Sequence, residues 1–111
     1  MGIQNWSENV ILVNLAQEPH MSEELQTVTE IVGDRGNCDV VIDFFDVEIV
    51  TSSSLAKLLK LQKTLKDCGQ SLVLCSLKPQ TKDIFKVTGL DSVFDFVDDQ
   101  FLALAGLQLT N

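Results

Sequence analysis

The chain reads as a single α/β domain with a mostly parallel β-sheet, an antiparallel edge strand at its N-terminus and four helices. Three observations carry that reading. Short runs of branched apolar residues recur along the chain and read as buried strands. Segments with apolar residues at helical spacing lie between them, and strands alternating with helices imply right-handed parallel crossovers. The length of 111 residues suits one compact core, and a hydrophobic share of 45% is enough to fill it.

The elements follow in order. Ile3 to Ser7 reads as an edge strand, turning near Glu8-Asn9 into a buried strand over Val10–Leu15. Pro19 breaks the chain. Ser22 then fits an N-cap, with Glu23 and Glu24 in the first turn where carboxylates suit the helix dipole. Leu25, Val28, Thr29 and Val32 keep a helical spacing, and Gly33 is the expected stop. Asp39–Phe44 reads as a central parallel strand.

The clearest helix runs from Ser53 to about Asp67. Leu55, Leu58, Leu61, Leu65 and Cys68 fall on one side of its wheel, and Lys57, Lys60, Lys63 and Lys66 on the other. Gly69 ends it. The lysine side is either a solvated face or a strip that touches a partner. Ser71–Cys75 is the next strand. Pro79 fits the first turn of a short helix reaching Val87, closed by Thr88-Gly89. Ser92–Val97 reads as a last strand. Asp98 and Asp99 open a final helix from Gln100 to about Ala105, expected to pack through Phe101, Leu102 and Leu104.

Composition excludes several function classes. The net charge is −8, with only eight Lys and Arg residues, so DNA, RNA and anionic membranes are poor partners. A basic protein surface is the better match. Cys38, Cys68 and Cys75 show no metal or redox spacing, and their apolar neighbours make them read as free, buried thiols of a reducing cytoplasm. The first residues carry no signal-peptide pattern, and no apolar run approaches the roughly 20 residues of a membrane span.

Catalytic chemistry finds no support either. His20 is the only histidine, and no G-x-S-x-G elbow surrounds the serines. A serine without a base is a poor nucleophile. One His and three scattered Cys give no metal ligand set, and Val32-Gly33-Asp34-Arg35-Gly36 ends a helix instead of opening one, so no cofactor is implied. What remains is Thr51-Ser52-Ser53-Ser54, four hydroxyls where an acidic loop holding Asp46 and Glu48 meets a long helix. Helix N-termini offer free N–H groups and a positive dipole end, so phosphate is tolerated there. The same residues also fit a generous N-cap. Spacing alone leaves both readings open.

These residues resemble a known family. Val40-Val41-Ile42-Asp43-Phe44, then Val47, then Val50-Thr51-Ser52-Ser53, followed by a helix with leucines at 55, 58 and 65, is similar to the STAS domain. That family includes bacterial anti-sigma-factor antagonists and the cytoplasmic domains of sulphate transporters. Ile84 to Phe94, a short helix ended by Gly89-Leu90, is similar to its second hallmark. The likeness covers about residues 10 to 105. It implies a non-enzymatic STAS-like single domain over 1–111. The partner implied is an anti-sigma factor or related serine kinase, in the cytoplasm.

In the antagonists the key segment reads Asp-Ser-[Ser/Thr]-Gly. The alignment places Ser52 at the phosphorylated serine, Thr51 at the acid, Ser53 at the second hydroxyl and Ser54 at the glycine. The family's Gly-x-x-Asp segment aligns with Ala16-Gln17-Glu18-Pro19, which lacks that acid. The partner-binding set implied is Asp46, Glu48, Thr51, Ser52, Ser53, Ser54 and Lys57. The departures at Thr51 and Ser54 leave a second expectation, a phosphorylation-independent scaffold partnering a lipid or anion transporter.

Overall fold

The computed structural model describes residues 2–110, with side chains through Leu107. Its strands are β1 (Ile3–Ser7), β2 (Val10–Asn14), β3 (Asp39–Asp43), β4 (Leu72–Cys75) and β5 (Asp95–Val97). They form one sheet in that spatial order, β1 antiparallel to β2 and all others parallel. The helices are α1 (His20–Arg35), α2 (Ser52–Asp67), α3 (Pro79–Val87) and α4 (Gln100–Thr110), with a 3₁₀ turn at Leu90–Ser92. The predicted α/β class, edge strand and four helices are all present.

Strands and helices alternate from β2 onward, and each parallel strand pairs with the next one in sequence. Crossovers of one hand then lay α1, α2 and α3 on the same face. There Leu25, Val28, Leu58, Leu61 and Phe85 pack on Ile11, Val13, Val40 and Ile42. The other face is covered by α4, whose Ala103, Leu104 and Leu107 pack on Val10, Leu12, Val41 and Val73. β3 is buried on both sides, as its unbroken apolar run requires.

Five expectations about the helices and strands are corrected. The first helix begins at His20, two residues before Ser22. The Glu18 carboxylate accepts from both the backbone N and Oγ of Ser22, so an upstream acid holds that first turn. The helix runs on through Gly33 to Gly36, whose left-handed φ of 70° makes it the true cap. Glu24 is no dipole-facing surface charge. It is buried and accepts from Ala16 N at 2.8 Å and Gly2 N at 3.1 Å, which ties the hairpin to α1.

The last strand is only three residues long, because Phe94 turns inward from the preceding bend to fill a phenylalanine cluster. In α4, Leu104 is buried but Phe101 and Leu102 face outward. That helix is apolar on most sides, so its sequence did not fix which side meets the sheet.

The cysteines are free; Cys38 and Cys75 are buried as expected, but Cys68 is only half-buried, because it caps the end of α2 beyond the packed turns. Burial, with Asp43 nearby, pushes the Cys75 thiol up to about 11, so it is protonated and unreactive at neutral pH. Among the described residues, no helix is long and apolar enough to cross a membrane.

One buried side-chain polar atom among the described residues has no partner: the hydroxyl of Thr81, which is fully buried in α3. An unpaired hydroxyl bears its desolvation cost without return. Thr81→Val keeps the shape and removes that cost. It is expected to leave stability unchanged or raise it by about 1 kcal/mol, read as a higher urea midpoint at unchanged slope.

Candidate functional site

The parallel strands β2, β3, β4 and β5 all end at the same edge of the sheet. Each is followed by a helix, so the N-termini of α1, α2, α3 and α4 gather there. Four positive dipole ends share that surface. In an open parallel sheet this is also where loops are free to carry function. The loop from Phe44 to Thr51 joins β3, buried on both sides, to α2, so the most central strand supports it.

That loop is held in shape by side chains around it. Asp43, the last residue of β3, is buried; its Oδ1 accepts from Phe45 N at 2.8 Å. Its Oδ2 accepts from Gln100 Nε2 at 2.9 Å, and the same amide reaches Asn14 Oδ1 at 3.3 Å. Lys78 Nζ donates to Phe45 O at 2.9 Å and Val47 O at 3.3 Å, and pairs with Glu48 at 3.5 Å. Val47 and Val50 point into the core. The alternating inward valines leave Phe45, Asp46, Glu48 and Ile49 facing out.

The four hydroxyls then divide into two pairs. Thr51 is the N-cap of α2 and Ser54 its third residue, and the two close a reciprocal capping box. Ser54 N donates to Thr51 Oγ1 at 3.2 Å, and Thr51 N donates to Ser54 Oγ at 2.9 Å. Ser54 Oγ also donates to Thr51 O at 2.9 Å. Ser54 is fully buried, so its hydroxyl shapes the corner and offers a partner nothing to touch. Ser52 and Ser53 are exposed, and among the described residues their hydroxyls have no hydrogen-bond partner.

The open alternatives of cap and modifiable surface therefore coexist on different residues. Ser52, at the first helical position, can gain a phosphate without disturbing the cap, and the free N–H groups and dipole favour charge there. Thr51→Ala is expected to cost about 1–2 kcal/mol by opening the box, whereas Ser53→Ala should stay within about 0.5 kcal/mol. Chemical denaturation of the two variants checks this.

The remaining sequence-predicted residues spread around the corner. Asp46 is exposed and stands between two shallow depressions, one toward Asn14, His20 and Glu23, the other toward Ser76, Lys78 and Asp98. Glu48 is tied to Lys78. Lys57 is half-buried and turned toward α1, where it shares a recess with Glu30 and Lys60. Sequence reasoning missed Asp43, Lys78 and Gln100 as supports of the loop. A carboxylate closing an apolar strand was the available signal for the first; the other two had none. Among the described residues no cluster of His, Cys, Asp or Glu has the makings of a metal site.

Comparison with known proteins places this corner in context. BtrV of Bordetella bronchiseptica, which carries the provisional name of anti-sigma factor antagonist, is 29% identical over 87 residues, 78% of this chain and 75% of its own length. A variant of RsbS from Moorella thermoacetica has the same fold with a TM-score of 0.83, at 16% identity, over 97% of this chain and 94% of its own. SpoIIAA, described as a Bacillus cell fate determinant, superimposes in its phosphorylated form with a TM-score of 0.74, at 14% identity, over 95% and 96% of the two chains. The family model of the STAS domain matches residues 14–103, which takes in β3, the loop, the capping box and the Gly89-Leu90 turn, and the chain belongs to that family.

Proposed function

We propose that this domain is an anti-sigma-factor antagonist, a non-enzymatic, cytoplasmic protein-binding regulator of transcription switched by phosphorylation of Ser52. The observation that carries the reading is the division of hydroxyls at the start of α2. Thr51 and Ser54 occupy each other, and Ser52 stands exposed with an unengaged hydroxyl beside an acidic, rigid loop. Support comes also from the name of the Bordetella relative and from a structural neighbour solved in a phosphorylated form.

The partner is an anti-sigma factor that is also the serine kinase. It docks over the loop 46–54 and the exposed side of α2. The unphosphorylated domain binds it and releases the sigma factor. A phosphate brings about −1.5 to −2 charges to the docking corner, and the complex ends. The two departures from the family pattern fit this switch, because Thr51 and Ser54 supply the cap between them.

The test is to incubate the purified domain with the serine kinase of its own genome and ATP. Intact-mass analysis should show one added phosphate on the wild type and none on Ser52→Ala. Phosphate still accepted by Ser52→Ala would make the assignment to Ser52 wrong.

A further inference from the structure

Two large apolar side chains stand out on the loop before Ser52. Phe45 is 72% exposed and Ile49 69% exposed. Isolated exposed apolar residues are ordinary, but these two lie four residues apart on a loop tied down at several points. Phe45 is gripped through both backbone groups, its N–H by Asp43 and its C=O by Lys78. Val47 N donates to Phe44 O at 2.9 Å, which closes the turn between them. Val47 and Val50 anchor either side of Ile49 in the core. Ordering costs are therefore met before any partner arrives, and that is where pre-organised anchors gain affinity.

The surroundings of the pair are acidic. Phe45 shares an open groove with Asp46, Glu48, Asp98 and Asp99, and among the described residues Lys78 is the one cation lining it. Lys78 is already committed to the loop carbonyls and Glu48. This field repels nucleic acid and anionic lipid alike. It fits a protein surface.

We infer that Phe45 and Ile49 are the anchors of the docking surface, and that they insert into an apolar recess on a partner protein whose rim carries Arg and Lys. The inference rests on the proposed antagonist reading and deepens it. The family pattern expects acids at 51 and 19, where this chain has Thr51 and Pro19. The Thr51 side chain is spent on the cap, and Glu18 on the first turn of α1. Charge recognition has passed to Asp46, Glu48, Asp98 and Asp99, on the β3 and β5 side of the corner. Apolar contact has passed to Phe45 and Ile49.

A photo-crosslinking amino acid tests this. The full chain carrying p-benzoyl-phenylalanine at position 45 is expressed in the native cell and irradiated, with the same residue at position 87, exposed at the far end of α3, as the control. The expected product is a covalent adduct from position 45 alone. Mass spectrometry of the crosslinked peptide should show apolar residues flanked by at least two Arg or Lys. No adduct above the position-87 control, or an adduct to an acidic segment or a lipid, would overturn the proposal.

With the captured protein purified, Phe45→Ala should weaken binding at least roughly 30-fold, as truncation of a central anchor does. Asp46→Asn combined with Glu48→Gln should slow association and flatten its salt dependence. Unchanged binding by Phe45→Ala would also overturn it. If the captured protein has no part in sigma-factor control, the surface assignment stands and the antagonist reading fails. If that protein phosphorylates Ser52 but binds Phe45→Ala normally, the reverse holds.

Discussion

Ser52→Asp is expected to weaken binding of the cognate anti-sigma protein by about 30-fold to 1,000-fold while leaving the domain at least as stable as the wild type. The two effects have opposite signs for one physical reason. At the first position of α2 a carboxylate faces free N–H groups and the positive dipole end, which favours the folded domain by about 0.3–1 kcal/mol. An interface that closes over the same side chain must bury a charge with no counter-ion. That costs about 2–4 kcal/mol, most of it in faster dissociation. Titration calorimetry and thermal denaturation of the same sample read both numbers. Loss of binding together with loss of stability would mean that the substitution had broken the cap. Retained binding would leave the family's other reading, a scaffold indifferent to phosphorylation.

Phe85→Ala is expected to be the most damaging single change in the core, at about 3–5 kcal/mol. Phe85 is fully buried and sits at the centre of an aromatic cluster. Its ring meets Phe96 at 5.3 Å, Phe94 at 5.6 Å and Phe44 at 6.4 Å between centroids, all edge-to-face. Those three neighbours come from β5, the bend before it and the start of the site loop. No single element can collapse to fill the gap, so most of the cavity cost is expected in full. For a domain of this size the melting temperature should fall by roughly 15–30 °C. Because Phe44 opens the loop that carries Phe45 and Ile49, faster hydrogen exchange at Phe45 and Val47 should accompany the loss.

Most of the fold was legible because its strands are short apolar runs with clear breaks. Val40-Val41-Ile42 has no polar side to offer and belongs in the middle of a sheet, where β3 lies. The leucines at 55, 58, 61 and 65 fixed the inward side of α2. Where the reading slipped, a distant side chain decided the outcome. Ser22 has the composition of an N-cap, but Glu18 reaches forward to it and the helix has already begun. Gly33 and Gly36 are alike as letters; only the second takes the left-handed cap. Phe101 and Ala103 both suit a buried side, and the sheet accepted the smaller.

The site was half legible. The position of four hydroxyls at a helix start could be read, and the family resemblance singled out Ser52. Their division into an occupied pair and a free pair could not, since it depends on which oxygen each N–H finds. Nor could the chain show that Lys78 and Gln100 hold the loop, because those hydrogen bonds span 31 to 57 residues of sequence.

In the proposed switch, phosphorylation of the free Ser52 hydroxyl ends the docking of an anti-sigma partner. The most direct test is to prepare the domain fully phosphorylated at Ser52 and titrate it against that partner beside the unmodified protein. Tight binding by the unmodified domain and a loss of at least about 30-fold on phosphorylation are expected. Equal affinities for the two forms would contradict it.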